Sequence, residues 1–370
     1  MKVGVPKEIK RFENRVSMTP DGVRAFKAAG HDVYVEKGAG VGAQITDEMY
    51  AKAGAVMIGS HEEVFEVADM IYKVKEPLKE EYKLFKKGQL LFTYLHLAAD
   101  KEQAVALMEK GVTGIAFETI QLENGHLPLL EPMSEVAGRL AVQEGAKYLE
   151  KTFGGRGILL GGIPGVPRGN VVIIGGGVVG ANATKIAIGM GARVTLMDVQ
   201  KSILQKYDDF YGVSIDTIYS TPDNIERCIE DADLVIGAVL IPGASAPKLI
   251  TEEHVKNMKK GAVIVDVAVD QGGCCAYTKA TYHDDPIFYV DGVVMYCVAN
   301  MPGAVPVTST WGLSQATLPY GLKIASLGIK EASKDPAILK GINTFDGNLT
   351  HPKVAESLNI DYKKITPDLL

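Results

Sequence analysis

Short apolar runs alternate with helix-length segments along the first third of the chain. Residues 3–5 read as a strand, followed by a loop and a helix from Thr19 with Pro20 in its first turn, and residues 31–36 form the next strand. Two further strands are expected: residues 70–75, which stop at Pro77, and residues 89–97, which stop just before Asp100. Asp100 can cap a helix over residues 101–110, with Gln103 three residues on. Strand then helix, repeated, predicts a parallel sheet. The rhythm breaks around Pro128 and Pro132, and a long helix over residues 134–151 follows, with Val136, Leu140 and Leu149 on one apolar side. Such a helix can bridge two domains.

A second alternating block starts at Asn170. Strands are expected at residues 171–174, 193–197, 234–237 and 262–267, separated by helix-length connectors. Residues 293–298 look strand-like and lead into a Pro-rich turn, after which residues 313–333 look helical. The remaining tail has too little sheet pattern to fold alone, so it is expected to pack back on the first domain. The predicted fold class is α/β, with two domains built on parallel sheets: a Rossmann dinucleotide-binding domain over residues 129–305 and a discontinuous substrate domain over residues 1–128 and 306–370.

Composition narrows the function. A chain of 370 residues with 46% apolar and 23% charged residues has ample material for real cores, which excludes disordered and fibrous classes. Its net charge is only -6 and no basic stripe is present, so a small molecule is the expected ligand rather than nucleic acid. The opening residues carry Lys2, Lys7, Glu8 and Lys10 and lack an apolar signal segment, which points to a cytoplasmic protein. Residues 292–322 are uncharged, yet Pro302, Pro306 and Pro319 and many hydroxyl and amide side chains favour a buried lining over a membrane span. The 4 cysteines, Cys228, Cys274, Cys275 and Cys297, lack the paired spacing of a zinc site and are read as reduced, packed thiols; no metal is expected.

The most specific motif is the run from Val171 to Gly180, which sets Gly175, Gly177 and Gly180 in a G-x-G-x-x-G frame between an apolar strand and a helix. Gly175 permits the tight turn, Gly177 lets the backbone approach a pyrophosphate, and Gly180 lets helix and strand pack closely, while the helix N-terminus offers free amides. Asp198 closes the next strand, roughly 20 residues on, where a carboxylate accepts from the adenosine ribose and repels a 2′-phosphate. This favours NAD over NADP, a preference that the nearby Lys201 weakens slightly.

Ligands of open parallel sheets sit outside the carboxyl ends of the strands. Four reactive side chains are expected there, in one crevice: Arg15, Lys75, His96 and Asp270. Arg15 presents a fork that suits a substrate carboxylate, against the alternative of a surface ion pair. Lys75 can polarise a carbonyl oxygen or hold the carboxylate, while its period-two neighbour Lys73 shares the face and could equally be the solvated member. His96 can give and take a proton near neutral pH, with Tyr94 facing the same way, and the alternative is a structural strand histidine. Asp270 can hydrogen-bond a ribose or the reacting amine, or simply form a turn before Gln271.

Gly4-Val-Pro-Lys-Glu8 with Asn14-Arg-Val16, Lys73-Val-Lys-Glu-Pro77, Thr93-Tyr-Leu-His-Leu97, Pro132-Met-Ser-Glu-Val-Ala-Gly138 and Val298-Ala-Asn-Met-Pro-Gly-Ala304 resemble the bacterial alanine dehydrogenases along nearly the whole chain. The chain is also similar, more distantly, to the nucleotide-binding subunit of proton-pumping transhydrogenase. The resemblance implies reversible NAD-dependent oxidative deamination of L-alanine to pyruvate and ammonium in a homohexamer. It implies that Arg15 and Lys75 bind substrate, that His96 and Asp270 serve acid–base chemistry, and that Ser134, Asp198, Ser220 and Asn300 contact NAD. Val178, Val179, Val239, Leu240, Val267, Lys279 and Val298 complete the expected cofactor contacts. Met295, Val307 and Cys275-Ala276 depart from the family's usual residues, and Lys279 stands where Arg is frequent. Two other readings remain, an NAD(H)-binding subunit of a transhydrogenase-type complex and an iminium reductase of the saccharopine type.

Overall fold

In this computed structural model, which describes residues 1–239 and 246–370, the chain divides into two compact units, Met1–Met133 with Gly303–Leu370 and Ser134–Pro302. In the first, the apolar runs become β1 (Lys2–Val5), β2 (Asp32–Glu36), β3 (Val56–Ile58), β4 (Met70–Tyr72), β5 (Leu90–Thr93) and β6 (Thr113–Ala116). They lie side by side in the order β6-β5-β4-β1-β2-β3, all parallel. The order therefore reverses between β1 and β4. Loops leaving those two strands run to opposite sides, and the carboxyl ends at such a reversal are where open α/β sheets bind ligands. Ile71, Leu91 and Leu95 pack with Phe65, Leu107 and Val354 in one buried cluster, so the segment leading to His96 is anchored by core side chains.

The second unit repeats the plan with β7 (Asn170–Ile174), β8 (Arg193–Asp198), β9 (Asp216–Tyr219), β10 (Leu234–Gly237), β11 (Val263–Asp266), β12 (Ile287–Val290) and β13 (Val293–Tyr296), in the order β12-β13-β11-β10-β7-β8-β9. Here the reversal falls between β7 and β10. Val172, Ile174, Val235 and Ile264 are buried on one side of this sheet beside Ile225 and Ile229 of the helix Pro222–Glu230.

The end of the chain adds β14 (Ile342–Phe345) and β15 (Asn348–Leu349) to the first sheet, which brings it to 8 strands. These two run antiparallel, as does β12 in the second sheet, so the expected parallel sheets carry antiparallel edges. Strands β3, β6, β9 and β12 lie outside the expected apolar runs. A Cβ at Gly114 of β6 would lie 2.7 Å from Thr344 Oγ1, so the side chain missing from the sequence pattern is excluded by the neighbouring strand. The helix expected at 313–333 begins earlier, at Pro306, and runs to Ala332. Proline fits the first turn because the amide it lacks has no helical partner there, so the Pro-rich segment starts this helix rather than preceding it. Gly328 (φ 75°) interrupts the run. No helix among the described residues is long and apolar enough to cross a membrane.

Candidate active site

Two carboxylates shape the ends of β4 and β5. The ladder between these strands continues as far as Lys73 N to Phe92 O and Tyr94 N to Val74 O. Beyond it, the Glu8 carboxylate accepts from Val74 N (2.6 Å) and Lys75 N (3.3 Å). In the same way Glu118, in the turn after β6, accepts from Leu95 N (3.2 Å) and His96 N (2.6 Å). Side-chain acceptors thus replace the strand-to-strand acceptors, and Lys75 and His96 stand just past the strands instead of inside them, which corrects the predicted ends at 75 and 97. His96 takes a left-handed conformation (φ 50°), costly for a residue with a Cβ and sustained here by the Glu118 hydrogen bonds.

These anchors bring two predicted groups together. Lys75 Nζ lies 3.5 Å from His96 Nε2, and Thr93 Oγ1 donates to the Lys75 carbonyl at 2.9 Å. The Tyr94 ring stacks on the imidazole, with centroids 5.7 Å apart and planes at 13°, while its hydroxyl donates to Leu129 O. Glu76, next along, is half-buried, which favours its neutral form, yet the charges of Lys75, His96 and Lys10 outweigh desolvation and hold its carboxyl at about 2. Lys10 pairs with it directly.

Arg15, in the loop after β1, is buried, which disposes of the surface ion-pair alternative. Glu13 accepts from its Nε (2.7 Å) and Nη2 (2.5 Å), while Nη1 meets Met133 Sδ at 3.0 Å. One edge of the fork is therefore filled by the chain's own carboxylate, a departure from the fork kept wholly for substrate. Burial opposes the guanidinium charge and Glu13 more than restores it, so its pKa stands above the usual value. The solvated role left open for Lys73 is also corrected. It is 1% exposed and pairs with Glu81 and, at 3.6 Å, with Glu8.

In the second unit the glycine frame opens the helix Val178–Gly189, with Gly177 at its N-cap. Gly175 has φ 103°, and a Cβ on Gly180 would come within 1.9 Å of Gly175 O, so neither position admits another residue without rearrangement. A Cβ on Gly177 would meet nothing within 4 Å, leaving open space in front of the helix amides of Val178 and Val179. Asp198, at the end of β8, accepts from Gly176 N and Gln200 N, both at 2.8 Å, which ties the second strand to the glycine turn. The Ser220 hydroxyl, one residue past β9, is buried without a hydrogen-bond partner. An open amide-lined turn, a carboxylate beside it and an unsatisfied hydroxyl fit a dinucleotide.

The other expected contacts are scattered through the same unit. Val239 follows β10, Val267 opens the short turn Val267–Gln271 that carries the exposed Asp270, and Val298 is buried. Asn300 has φ 61° and its carbonyl accepts from His283, Ser134 is half-buried on the helix Glu131–Tyr148, and the Lys279 ammonium sits 4.2 Å over the Phe288 ring. Leu240 lies outside the described residues. Sequence reasoning missed Glu8, Glu13, Glu118 and Asp266 as supports. Asp266, at the end of β11, accepts from Cys274 N, Cys275 N and Ala268 N and so braces the turn carrying Asp270. The signal was present in Glu8 and Glu13, acids flanking the first strand-end loop near basic residues. Cys274, Cys275 and Cys297 are buried free thiols, with burial pushing Cys275 up to about 11, and no metal-binding cluster occurs among the described residues.

Fold and site together define a two-unit α/β protein with a Rossmann-type dinucleotide unit and a lysine–histidine pair at a sheet's carboxyl edge. The N-terminal domain of the alanine dehydrogenase/PNT family matches residues 4–137 and its C-terminal domain residues 141–352. The chain is 56% identical to the alanine dehydrogenase of Methanococcus maripaludis, covering 98% of each, and 55% identical to that of Staphylococcus saprophyticus over 99% of each. Among solved structures it is similar to an L-alanine dehydrogenase (49% identity, TM-score 0.94, all of both chains). A transhydrogenase from Sinorhizobium meliloti is a more remote neighbour (26% identity, TM-score 0.81, 95% of this chain and 99% of that one). The chain belongs to the alanine dehydrogenase/PNT family.

Proposed function

We propose that the chain catalyses the reversible NAD-dependent oxidative deamination of L-alanine to pyruvate and ammonium. The observation that carries this reading is the Lys75–His96 pair, an ammonium and an imidazole held 3.5 Å apart on main chain fixed by carboxylates. The open turn at Gly177 with the amides of Val178 and Val179 would hold the pyrophosphate, Asp198 the adenosine ribose, and Ser220 would gain the partner its hydroxyl lacks. When bound, the nicotinamide accepts the hydride that leaves the alanine Cα. Arg15, aligned by Glu13, would hold the substrate carboxylate, and Lys75 would steady the oxygen that becomes the pyruvate carbonyl. His96 would take, at Nε2, a proton from the water that adds to the iminium carbon, and Asp270 would steady the nitrogen until ammonia departs.

NADH formation from a panel of L-amino acids tests this reading. Turnover of L-alanine supports it; NAD binding without turnover favours a transhydrogenase-type subunit, and activity confined to secondary amines favours a saccharopine-type reductase. The family resemblance extends the reading to a homohexamer working in the cytoplasm, and light scattering of the purified chain checks its assembly.

A further inference from the structure

Glu8 is a buried acid that the mechanism above uses as an acceptor for main-chain amides and for no chemical step. It lies just after β1, where the strand order of the first sheet reverses, and its carboxylate reaches across to the main chain leaving β4. One oxygen accepts from two successive amides, Val74 N and Lys75 N. The other, Oε2, is buried without a hydrogen-bond partner and stands 3.6 Å from Lys73 Nζ. Lys73 in turn meets Glu81, and Glu81 meets His61 at 3.2 Å. Glu8 is thus the inner end of an ionic chain that reaches the Lys75 backbone through hydrogen bonds and Arg15 through its charge. With the Lys75 carbonyl also held by Thr93, both main-chain polar groups of this residue are fixed by side chains.

We propose that Glu8 is a positioning residue of the reaction, fixing the end of β4 through the amides of Val74 and Lys75 and so setting where the Lys75 ammonium meets His96. The inference rests on the reading above, in which Lys75 holds the substrate. The charged form of Glu8 is the stronger acceptor for both amides, because hydrogen bonds to an ionised oxygen are about twice as strong as neutral ones. Burial pushes this carboxyl up, Lys73 pulls it down, Glu13 and Glu81 push it up again, and it rests at about 7. Arg15 adds its own charge to the surroundings, since Glu8 is among the acids that stabilise it. The grip on Lys75 therefore strengthens as pH rises through neutrality.

The test compares the wild type with Glu8→Gln and Glu8→Ala in the full chain, by steady-state reduction of pyruvate with NADH and ammonium. Glu8→Gln keeps an acceptor oxygen but not the charge. The expected KM for pyruvate is the same in both proteins at about pH 5.5, where the wild-type carboxyl is protonated, and roughly threefold to tenfold higher in Glu8→Gln at about pH 8.5, with KM for NADH unchanged. Glu8→Ala is expected to lose more at every pH and to speed hydrogen exchange in a peptide spanning residues 73–77. A pyruvate KM ratio that stays flat across this range overturns the inference, whether or not Glu8→Ala folds. Unchanged exchange in a folded Glu8→Ala protein overturns it equally. Absence of pyruvate turnover by the wild type would instead sink the functional reading, so the two failures are distinguishable.

Discussion

Lys75 and His96 leave adjoining parallel strands with Nζ and Nε2 3.5 Å apart, and each is held by a carboxylate that accepts from its own amide and from that of the residue before it. The symmetry has a physical origin. Where a strand runs out of partners its amides must still be satisfied, and a Glu carboxylate satisfies two at once where the chain leaves the sheet. The side chains that follow are thereby aimed by backbone, a firmer support than packing alone.

His96 is the expected proton acceptor. His96→Ala should lower NADH formation from L-alanine by about a hundredfold to ten-thousandfold, the usual range for a positioned acid–base group, with NADH affinity unchanged. Turnover within about threefold of wild type would reassign the histidine to a structural role.

Glu118 offers a complementary check on the strained backbone. Glu118→Ala leaves Leu95 N and His96 N without their acceptor, so the left-handed conformation of His96 should relax. The expected outcome is a drop in kcat together with a stability loss of about 1 kcal/mol, small because water can reach the freed amides, read by chemical denaturation. A drop in neither quantity would mean that another group holds the turn.

Much of this was legible in the sequence, and the failures have specific causes. The glycine frame and Asp198 were readable because a tight turn, a close approach and a carboxylate at fixed spacing are local demands, and the structure meets them at Gly175, Gly180 and the Asp198–Gly176 hydrogen bond. Lys73 was misjudged because period-two reasoning gives a face but not its burial. That face is dry, and the charge persists because Glu8, distant in sequence, and Glu81, eight residues on, close around it. Strand β14 was missed because its partner β6 lies more than 200 residues away, and β15, which pairs with β14, because a two-residue antiparallel edge leaves no local period. The carboxylate supports Glu118 and Asp266 were invisible for a related reason: their work is on main-chain amides, which every sequence supplies alike.

Asp198 carries two duties, and its replacement should separate them. Asp198→Ala removes the carboxylate expected to oppose a 2′-phosphate and also the acceptor for Gly176 N and Gln200 N. The ratio of kcat/KM for NADP to that for NAD should rise, while affinity for both falls because the glycine turn loses its tie. Asp198→Asn should retain more of the affinity and show the same change in ratio. A ratio unmoved in both variants would remove Asp198 from cofactor selection.

The ionic chain that ends at Glu8 begins at His61, and it gives the fold a pH dependence of defined sign. His61 sits between Glu36 (2.7 Å) and Glu81 (3.2 Å). Burial disfavours its charge, but the two carboxylates outweigh burial and raise it from 6.5 to about 9. A histidine whose folded value lies above its unfolded value binds its proton more tightly when folded, so its contribution is fully present below about 6.5 and is lost as pH climbs through about 9. Glu8 tilts stability the same way at lower pH, since its raised carboxyl binds a proton more readily in the folded chain between 4.5 and about 7. Denaturation midpoints should therefore fall as pH is raised from about 6 to about 9.5. His61→Gln should flatten the upper part of that slope and leave the lower part, because Gln keeps hydrogen-bonding capacity but cannot carry charge. An equal slope above neutrality in both proteins would show that the Glu36–His61–Glu81 array does not hold the proton.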